Sequence, residues 1–382
     1  MKTVSIFDFG ALGNGLHDDR TAIQSALDSG ADEILIPQGI YNVSDTLRVH
    51  SNTVIIADKN AKIVMKSSTR RKRGDFLLSN ADVDAGNVNI CIRGGIWDGD
   101  NQAPENAKPD LMDQTGYSGA VLNFVNLQGL RLENMVIANS VTYYIRMSKV
   151  HDFNIDGIDF VSDHFGANQD GIHVGGGVKH GTIRNVRALS FGQTNDDMIA
   201  LNADDSIERV ENLDLVRDAI EDLEIENIYT ESCHTIIRML SVTAPIRNVR
   251  IKNVYGGFRC YAVNADAARY CRTPLFCDAD HPTGVGLIEN VSFESFTCFH
   301  SKKLPEGFGG TASSQQPAIV LESNAKNLRF TNFKYLKEEN DSMALLARNI
   351  IDTTIVADEA EYEIKEKTDR IVIDNFQNLK VN

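Results

Sequence analysis

The sequence predicts an all-β protein: a right-handed parallel β-helix, a solenoid of about ten three-strand coils with a short N-terminal capping helix. Two observations predict this fold. A pattern of alternating apolar and polar residues around a central Asn recurs along the chain, and a further short apolar segment precedes each copy. Helical solenoids need a 3.6-residue period and propeller blades need four strands, so three short strands per repeat favour the β-helix.

The N-terminal segment is predicted to cover the open first coil. Asp18 and Asp19 precede an amphipathic stretch, residues 21–27, and acidic residues stabilise a helix N-terminus. A strand, a turn at Pro37 to Gly39 and a second strand follow. We predict a single domain over residues 1–382, with the cap and first coils in 1–60 and the main coils, which carry the cleft, in 120–350.

The repeated pattern first appears clearly at residues 130–137, where apolar residues alternate around Asn134. Alternation with a period of two is typical of half-buried strands, and Asn suits a bend because it tolerates left-handed backbone. The side chains predicted to stack inside the helix are Ile155, Ile183, Ile225, Ile251, Phe293 and Phe330, and a last copy starts at Ile371. The third strands are predicted at Tyr143–Met147, Gly171–Val174, Met198–Asn202, Thr235–Leu240, Tyr261–Asn264, Ala318–Glu322 and Met343–Arg348.

Composition limits the possible partners. The net charge of -15 disfavours binding to nucleic acids and to anionic membranes, because both need basic surfaces. No run of 18 apolar residues is present and the N-terminus has no apolar signal core, so a cytoplasmic location is expected unless a leader was removed. The cysteines are expected to be reduced in a chain of this length. Zinc at Cys271, Cys277 and His281 is not favoured, because the CxxC spacing of such sites is missing.

Three carboxylates are predicted to gather on neighbouring coils. Asp170 and the pair Asp196-Asp197 each stand just before a short apolar strand. Adjacent rungs of a parallel sheet lie about 4.8 Å apart, so these acids would lie close together. Because three neighbouring acids cannot all ionise comfortably, one should keep its proton and could act as the acid in glycosidic bond cleavage. The alternative is that these residues only form turns between strands.

The same segments resemble a known enzyme family. Residues 7–41, which open with Phe7-Asp8-Phe9-Gly10, are similar to the start of many pectin-active β-helix enzymes and of some phage tailspikes. Asn168-Gln169-Asp170-Gly171 and Asn195-Asp196-Asp197-Met198-Ile199-Ala200 resemble the Asn-Thr-Asp-Gly and Asp-Asp-Cys-Ile-Ala motifs of polygalacturonases, glycoside hydrolase family 28. The resemblance implies that Asp196 is the general acid, that Asp170 and Asp197 hold and deprotonate a water, and that cleavage inverts the anomeric configuration.

The chain departs from that family at three places. His173 stands where the family commonly has a further Asp, and Cys233-His234-Thr235 replaces its Gly-His-Gly motif. Arg250-Ile251-Lys252 has the same three residues as the family's Arg-Ile-Lys motif, which binds a uronate carboxylate, but it occupies a strand position of the repeat. Unmodified polygalacturonate is therefore expected to be a poor substrate.

Further polar residues are candidates for binding the sugar, and they are Asn168, His173, Arg146, His234 and Arg238. Arginine offers a planar donor fork for hydroxyls or a carboxylate, while a structural ion pair is the alternative for Arg146 and Arg238. The pair Asp204-Asp205 is expected to lie in a solvated loop, and the basic run at residues 70–73 in an exposed loop.

These features predict a glycoside hydrolase that cleaves α-glycosidic bonds of pectic or related acidic oligosaccharides. No cofactor or metal is expected. The expected partner is an oligo- or polysaccharide, with no nucleic acid and no membrane, and the oligomeric state stays open. Two other functions also stay open: a polysaccharide lyase on the same fold, which would use calcium and a basic residue, and a non-catalytic glycan-binding or tailspike-like module.

Overall fold

The computed structural model describes residues 2–66, 76–101, 119–166, 168–204, 214–269, 276–301, 316–339, 341–358, 360–365 and 371–373. Strands dominate this part of the chain, which also contains an α-helix, α1 (Arg20–Leu27), and short 3-10 helices at Ile6–Phe9 and Asp278–Asp280. The strands are β1 Thr3–Ser5, β2 Asn14–Asp18, β3 Glu33–Ile36, β4 Gly39–Val43, β5 Leu47–Val49, β6 Thr53–Ala57, β7 Ala61–Met65, β8 Leu78–Asn80, β9 Asn87–Arg93, β10 Ile96–Asp98, β11 Leu122–Ala138, β12 Ile145–Val161, β13 Ile172–Gly175, β14 Lys179–Ala188, β15 Asp197–Asn202, β16 Ile220–Leu240, β17 Ile246–Asp266, β18 Ile288–His300, β19 Ile319–Leu321, β20 Ala325–Tyr335, β21 Leu345–Ala347, β22 Thr353–Ala357, β23 Ala360–Ile364 and β24 Ile371–Ile373.

Parallel strands stack into three ladders along the described chain. The first ladder contains β5, β8, the starts of β11 and β12, β13, β15, the ends of β16 and β17, β19 and β21. The second begins with β1, β3, β6 and β9 and continues through the middle of β11 to β20 and β22. The third begins with β2, β4, β7 and β10. This stacking is that of a parallel β-helix, as the repeats predicted.

Left-handed residues bend the long strands without interrupting the ladders. β16 and β17 each run for 21 residues and join strands that the pattern predicted as separate. Asn227 and Asn253 stand at the predicted bends with φ angles of 60° and 56°. The Asn227 side chain also donates to Asn185 Oδ1 on the preceding rung, at 2.9 Å. The repeated Asn therefore turns the chain and links successive coils.

The predicted internal stack is confirmed. Ile155, Ile183, Ile225, Ile251, Phe293 and Phe330 are paired in register from rung to rung, and all are buried. The rings of Phe293 and Phe330 stack with their centroids 5.1 Å apart. One continuous apolar core thus fills the inside of the β-helix.

The two ends of the described helix are built differently. At the start, α1 packs Ile23, Ala26 and Leu27 into the same core as the coils, as predicted for a cap. At the end, β22 and β23 form an antiparallel hairpin, and β24 pairs antiparallel with β21. The prediction of a further parallel coil starting at Ile371 is therefore wrong, because this segment turns back onto the last rung.

Two expectations from composition can be compared with the described residues. None of their helices is long and apolar enough to cross a membrane. Cys91, Cys233, Cys260, Cys277 and Cys298 are free thiols. The remaining cysteine, Cys271, and the basic run at residues 70–73 lie outside the described residues.

Candidate active site

A cleft of about 710 Å³ lies on the outer surface of the first ladder, and all three predicted acids line it. Asp170 comes two residues before β13, Asp196 comes directly before β15, and Asp197 is the first residue of β15. Four of the five predicted sugar-binding residues line the same cleft: Asn168, His173, His234 and Arg238. The one-coil spacing of the two motifs therefore brings these side chains together as predicted.

Main-chain hydrogen bonds between rungs fix the segments that carry the acids. The N–H of Gly171 donates to the carbonyl of Asp197 at 2.9 Å, and the N–H of Asp196 donates to the carbonyl of Gln169 at 3.3 Å. The carbonyl of Asp170 in turn accepts from Tyr144 N–H on the preceding rung, at 2.8 Å. The carboxylates are thus held by the ladder itself, which preorganises the site.

Asp170 is buried against His173. Its Oδ2 lies 2.5 Å from His173 Nδ1, and the ring of Tyr143 packs on the imidazole with centroids 4.3 Å apart. Burial raises the pKa of Asp170 to about 6, although the hydrogen bond with His173 opposes the shift. His173 therefore orients this carboxylate and favours its ionised form near neutral pH.

Asp196 is paired with His234 on the next rung. The two side chains meet at 3.4 Å between Asp196 Oδ1 and His234 Nδ1. Burial disfavours the Asp196 carboxylate, but the contact with His234 and the charge of Arg238 outweigh it, so its pKa is lowered. Burial likewise opposes the charged His234, yet the partners Asp196 and Cys260 raise its pKa to about 10. The pair therefore exists as imidazolium and carboxylate at neutral pH.

Asp197 is the acid whose protonated form the site favours. Burial is the main cause, and the neighbouring Asp196 and Asp170 add to it, so the pKa of Asp197 is raised well above its usual value. Arg238 opposes this shift from 3.7 Å. Asp196 is the more accessible member of the pair, with 27% of its side chain exposed against 3% for Asp197. The sequence predicted that one of the three acids has a raised pKa, and the burial and charges of the site favour this for Asp197, not for Asp196.

The first ladder aligns three of the predicted sugar-binding residues, Arg146, His173 and Arg238, in one row. Arg146, His173, Ala200, Arg238 and Asn264 occupy equivalent positions on successive rungs. Ala200 stands between His173 and Arg238 in this row and is fully buried. Arg146 is fully buried with its guanidinium 5.7 Å from the centre of the Phe76 ring, and it does not line the cleft.

The expectation for Asp204 is wrong. Its side chain is fully buried and accepts main-chain hydrogen bonds from Val242, Thr243 and Ala244 at 2.6–2.9 Å. Arg217 pairs with it at 3.1 Å. Asp204 therefore ties β15 to the turn after β16 instead of lying in a solvated loop. The neighbouring Asp205 lies outside the described residues.

Several cleft residues were missed by the sequence interpretation. Arg259 is buried beneath the acid-bearing loop and donates to Asn195 Oδ1 at 2.7 Å. Asp266 binds the guanidinium of Arg238 through both oxygens at 3.3 Å. Asn202 and Glu322 also line the cleft. Asn264 and Asp266 could have been found from the repeat, because they stand one coil after Arg238 and Leu240 at equivalent positions. The position of Arg259 depends on long-range packing and has no such signal.

The acid cluster has donor atoms that could hold a metal ion. Single ligand atoms of Asp196, Asp197 and His234 lie within 4.8 Å of one another. Carboxylates and imidazole suit several divalent cations. In this arrangement a bound cation would compete with the His234–Asp196 contact, which uses the same atoms.

Comparison with known proteins agrees with the fold. A family model described as rhamnogalacturonase A/epimerase, pectate lyase-like, matches residues 3–259. The pre-neck appendage protein of Bacillus phage phi29 is 31% identical over 156 residues, which make up 41% of this chain and only 16% of that relative.

Two solved structures share the architecture over most of the chain. A 1,3-α-1,4-β-D-galactose-4-sulfate-3,6-anhydro-D-galactose-2-sulfate 4 galactohydrolase superposes with a TM-score of 0.64 at 15% identity, covering 91% of this chain and 90% of that one. The family 28 exopolygalacturonase of Yersinia enterocolitica superposes with a TM-score of 0.55 at 14% identity, covering 94% and 78%. These identities show a common fold. Since the family model covers more than half of the sequence, the chain belongs to the rhamnogalacturonase A/epimerase, pectate lyase-like family.

Proposed function

We propose that the protein is a glycoside hydrolase that cleaves α-glycosidic bonds of pectic or related acidic oligosaccharides by inverting acid/base catalysis. The observation that carries the proposal is the gathering of Asp170, Asp196 and Asp197 in one cleft, in three different protonation environments. Glycoside cleavage needs a proton donor beside an ionised partner. A structural cluster of turn residues would need neither the cleft nor these opposed environments.

In this mechanism the His234–Asp196 pair supplies the proton. Asp196 is the most accessible of the three acids, so its carboxyl group meets the leaving oxygen. His234 stores the proton at Nδ1, 3.4 Å from Asp196 Oδ1, and passes it through Asp196 when negative charge develops on that oxygen. The pair thus works as one acid, although Asp196 is ionised in the free protein.

Asp170 removes the proton from the attacking water. It is ionised above its pKa of about 6 and is oriented by His173. Asp197 lies within 4.8 Å of Asp196, a spacing at which a carboxylate could attack the sugar directly and retain its configuration. Because Asp197 holds a proton, it is a poor nucleophile and binds the water instead. This division of labour supports inversion.

Proton NMR of the first product formed tests the proposal. Inversion requires that an α-linked oligosaccharide releases the β-anomer before mutarotation. The α-anomer would contradict the inverting mechanism, and no new reducing end from any acidic oligosaccharide would contradict hydrolysis. About ten coils and a right-handed winding belong to the same proposal. The uninterrupted first ladder from Leu47 to Leu345 supports the coil number, and the right-handed winding is expected because connections between parallel strands of one sheet are nearly always right-handed.

A second candidate function is glycan binding without cleavage. It is favoured by the 31% identity to a phage appendage protein, whose name describes an assembled part and no reaction. This candidate predicts saturable binding of an oligosaccharide with no product after long incubation. It also predicts equal binding by the wild-type protein and Asp196→Asn, with no new reducing ends from either.

A further inference from the structure

Asn202 is a buried amide in the cleft, and neither of its side-chain polar atoms has a hydrogen-bond partner among the described residues. It is the last residue of β15, it lines the cleft, and 1% of its surface is exposed. Within the part of the chain that the structure describes, neither Oδ1 nor Nδ2 has a partner within hydrogen-bond distance. Buried polar groups are nearly always paired, since an unpaired donor and acceptor destabilise the folded state. An exception that faces a cleft indicates a group kept for a ligand.

Asn202 lies apart from the catalytic acids. It stands five positions after Asp197 along β15, about 16 Å at the usual rise per residue. It pairs in register with Leu240, which pairs with Asp266 on the next rung. Two residues earlier on the same two strands, Arg238 pairs in register with Asn264. Asn202 therefore faces a different part of the substrate from the sugar at the acids.

The charges in this part of the cleft are already neutralised. Asp266 binds Arg238 through both oxygens at 3.3 Å, and Asn264 Nδ2 also donates to Asp266 at 3.4 Å. The other described arginines of the cleft have carboxylate partners as well: Arg269 pairs with Asp278 at 3.0 Å and Arg348 pairs with Glu322. To bind one of these arginines, a uronate carboxylate would have to displace its carboxylate partner, and it would also lie near the negative charge of Asp266. An uncharged sugar can bind without displacing any of these ion pairs.

We propose that Asn202 and the Arg238–Asp266 pair form a binding subsite for an uncharged sugar unit. Asn202 Nδ2 donates to one hydroxyl of this unit and Oδ1 accepts from a second. The inference rests on the proposed function and narrows it. The acidic oligosaccharide carries a neutral unit, and this unit lies at the Asn202 end of β15, away from the acid cluster. Asn202 selects that unit by its hydroxyls.

Binding to a matched pair of probes tests the subsite. The probes are a galacturonic acid trisaccharide and its fully methyl-esterified form, which differ in charge but share their ring hydroxyls. All proteins carry Asp196→Asn, so that calorimetry reports binding without turnover. We expect the ester to bind more tightly than the acid, and Asn202→Leu to weaken ester binding by about tenfold, as the loss of hydrogen bonds to the ligand would.

A second measurement needs no ligand. Asn202→Leu should leave the melting temperature equal or higher, because it replaces an unpaired buried amide by an apolar group of similar shape. Asn80→Leu is the matched control, since buried Asn80 donates to Val125 O at 2.8 Å and accepts from Val125 N at 2.9 Å. This control should melt at a lower temperature.

Three results would overturn the subsite: unchanged ester binding in Asn202→Leu, tighter binding of the free acid, or no binding of either probe. A fall in melting temperature as large as that of Asn80→Leu would also overturn it, because Asn202 would then have a structural partner. Catalysis is judged separately with Asp196 intact. If Asn202→Leu loses ester binding while the wild-type protein produces no reducing ends, the subsite stands and the hydrolase proposal fails.

Discussion

His234 Nδ1 lies 3.4 Å from Asp196 Oδ1, and this contact distinguishes Asp196 from the other two acids of the cleft, because it lowers the pKa of Asp196. It keeps Asp196 ionised, and the resulting negative charge helps Asp197 to retain a proton. In the proposed mechanism, His234 supplies the proton to the accessible Asp196, and the raised pKa of Asp197 makes it a poor nucleophile.

The pH dependence of kcat/KM should be bell-shaped. Asp170 must be ionised to accept a proton, so activity is lost as the pH falls through about 6. His234 must be protonated to supply Asp196, so activity is lost as the pH rises through about 10. The measurement is kcat/KM across this range with the best oligosaccharide substrate.

Replacing His173 should move the acidic limb of that profile. His173→Ala removes a partner that lowers the pKa of Asp170, so the limb should shift to higher pH. His50→Gln is the control, because His50 pairs with Asp28 at 2.9 Å far from the cleft and should leave the profile unchanged. A limb that stays in place in His173→Ala would show that Asp170 is not the base.

The acids should differ in their response to the leaving group. Asp196→Asn removes the proton path but keeps the shape, and loss of general acid catalysis typically lowers kcat by about 10² to 10⁴. The loss should be much smaller for an aryl glycoside, because its leaving group needs no protonation. Asp170→Asn and Asp197→Asn should slow natural and aryl substrates alike. Equal behaviour of all three variants would contradict the assigned roles.

Asp204→Asn should destabilise the fold. Val242, Thr243 and Ala244 all donate their main-chain N–H to one oxygen, Oδ2, and an uncharged amide oxygen in its place is a weaker acceptor. The amide NH2 would then replace Oδ1, which pairs with Arg217. We expect a loss of about 1–3 kcal/mol in the free energy of unfolding, measured in urea. Asp214→Asn, at an exposed position, should change it by less than about 0.5 kcal/mol. Unaltered stability of Asp204→Asn would show that these bonds contribute nothing.

Unmodified polygalacturonate should be a poor substrate. Arg250, which has the letters of the uronate motif, is half exposed and pairs with Glu294 at 2.8 Å outside the cleft. His173 occupies the position of a further family acid and binds Asp170 instead. Reducing ends should therefore form faster from another pectic or acidic oligosaccharide. Homogalacturonan oligomers that turn over at least as fast as every alternative would refute this.

Turnover should survive exhaustive chelation, because proton transfer among the three acids needs no cation. The donor atoms of Asp196, Asp197 and His234 are close enough to bind one, so the experiment is informative. Activity that is lost on chelation and restored by calcium, with a product that gains ultraviolet absorbance, would identify a lyase instead. Product absorbance and reducing ends should be followed in the same samples.

Local sequence was sufficient for the features that repeat with the coil. The alternation around Ile155, Ile183 and Ile225 predicted the internal stack, since side chains of a strand alternate between core and surface. Asn227 predicted its own bend because Asn tolerates the left-handed conformation. Asp170 and Asp196 came together because equivalent points of successive coils lie one rung apart.

Tertiary structure decided what depends on residues distant in the chain. Asp204 looks like a solvated turn residue, but the turn after β16 folds over it and donates three main-chain bonds. Which acid holds the proton depends on burial and on His234 and Arg238, which reach the acids from the next rung. The sequence places Asn202 at an ordinary strand end. Only the packed cleft buries its amide and leaves it without a partner among the residues that the structure describes. Coil spacing determines which backbone positions are neighbours, whereas burial and charge depend on everything packed around them.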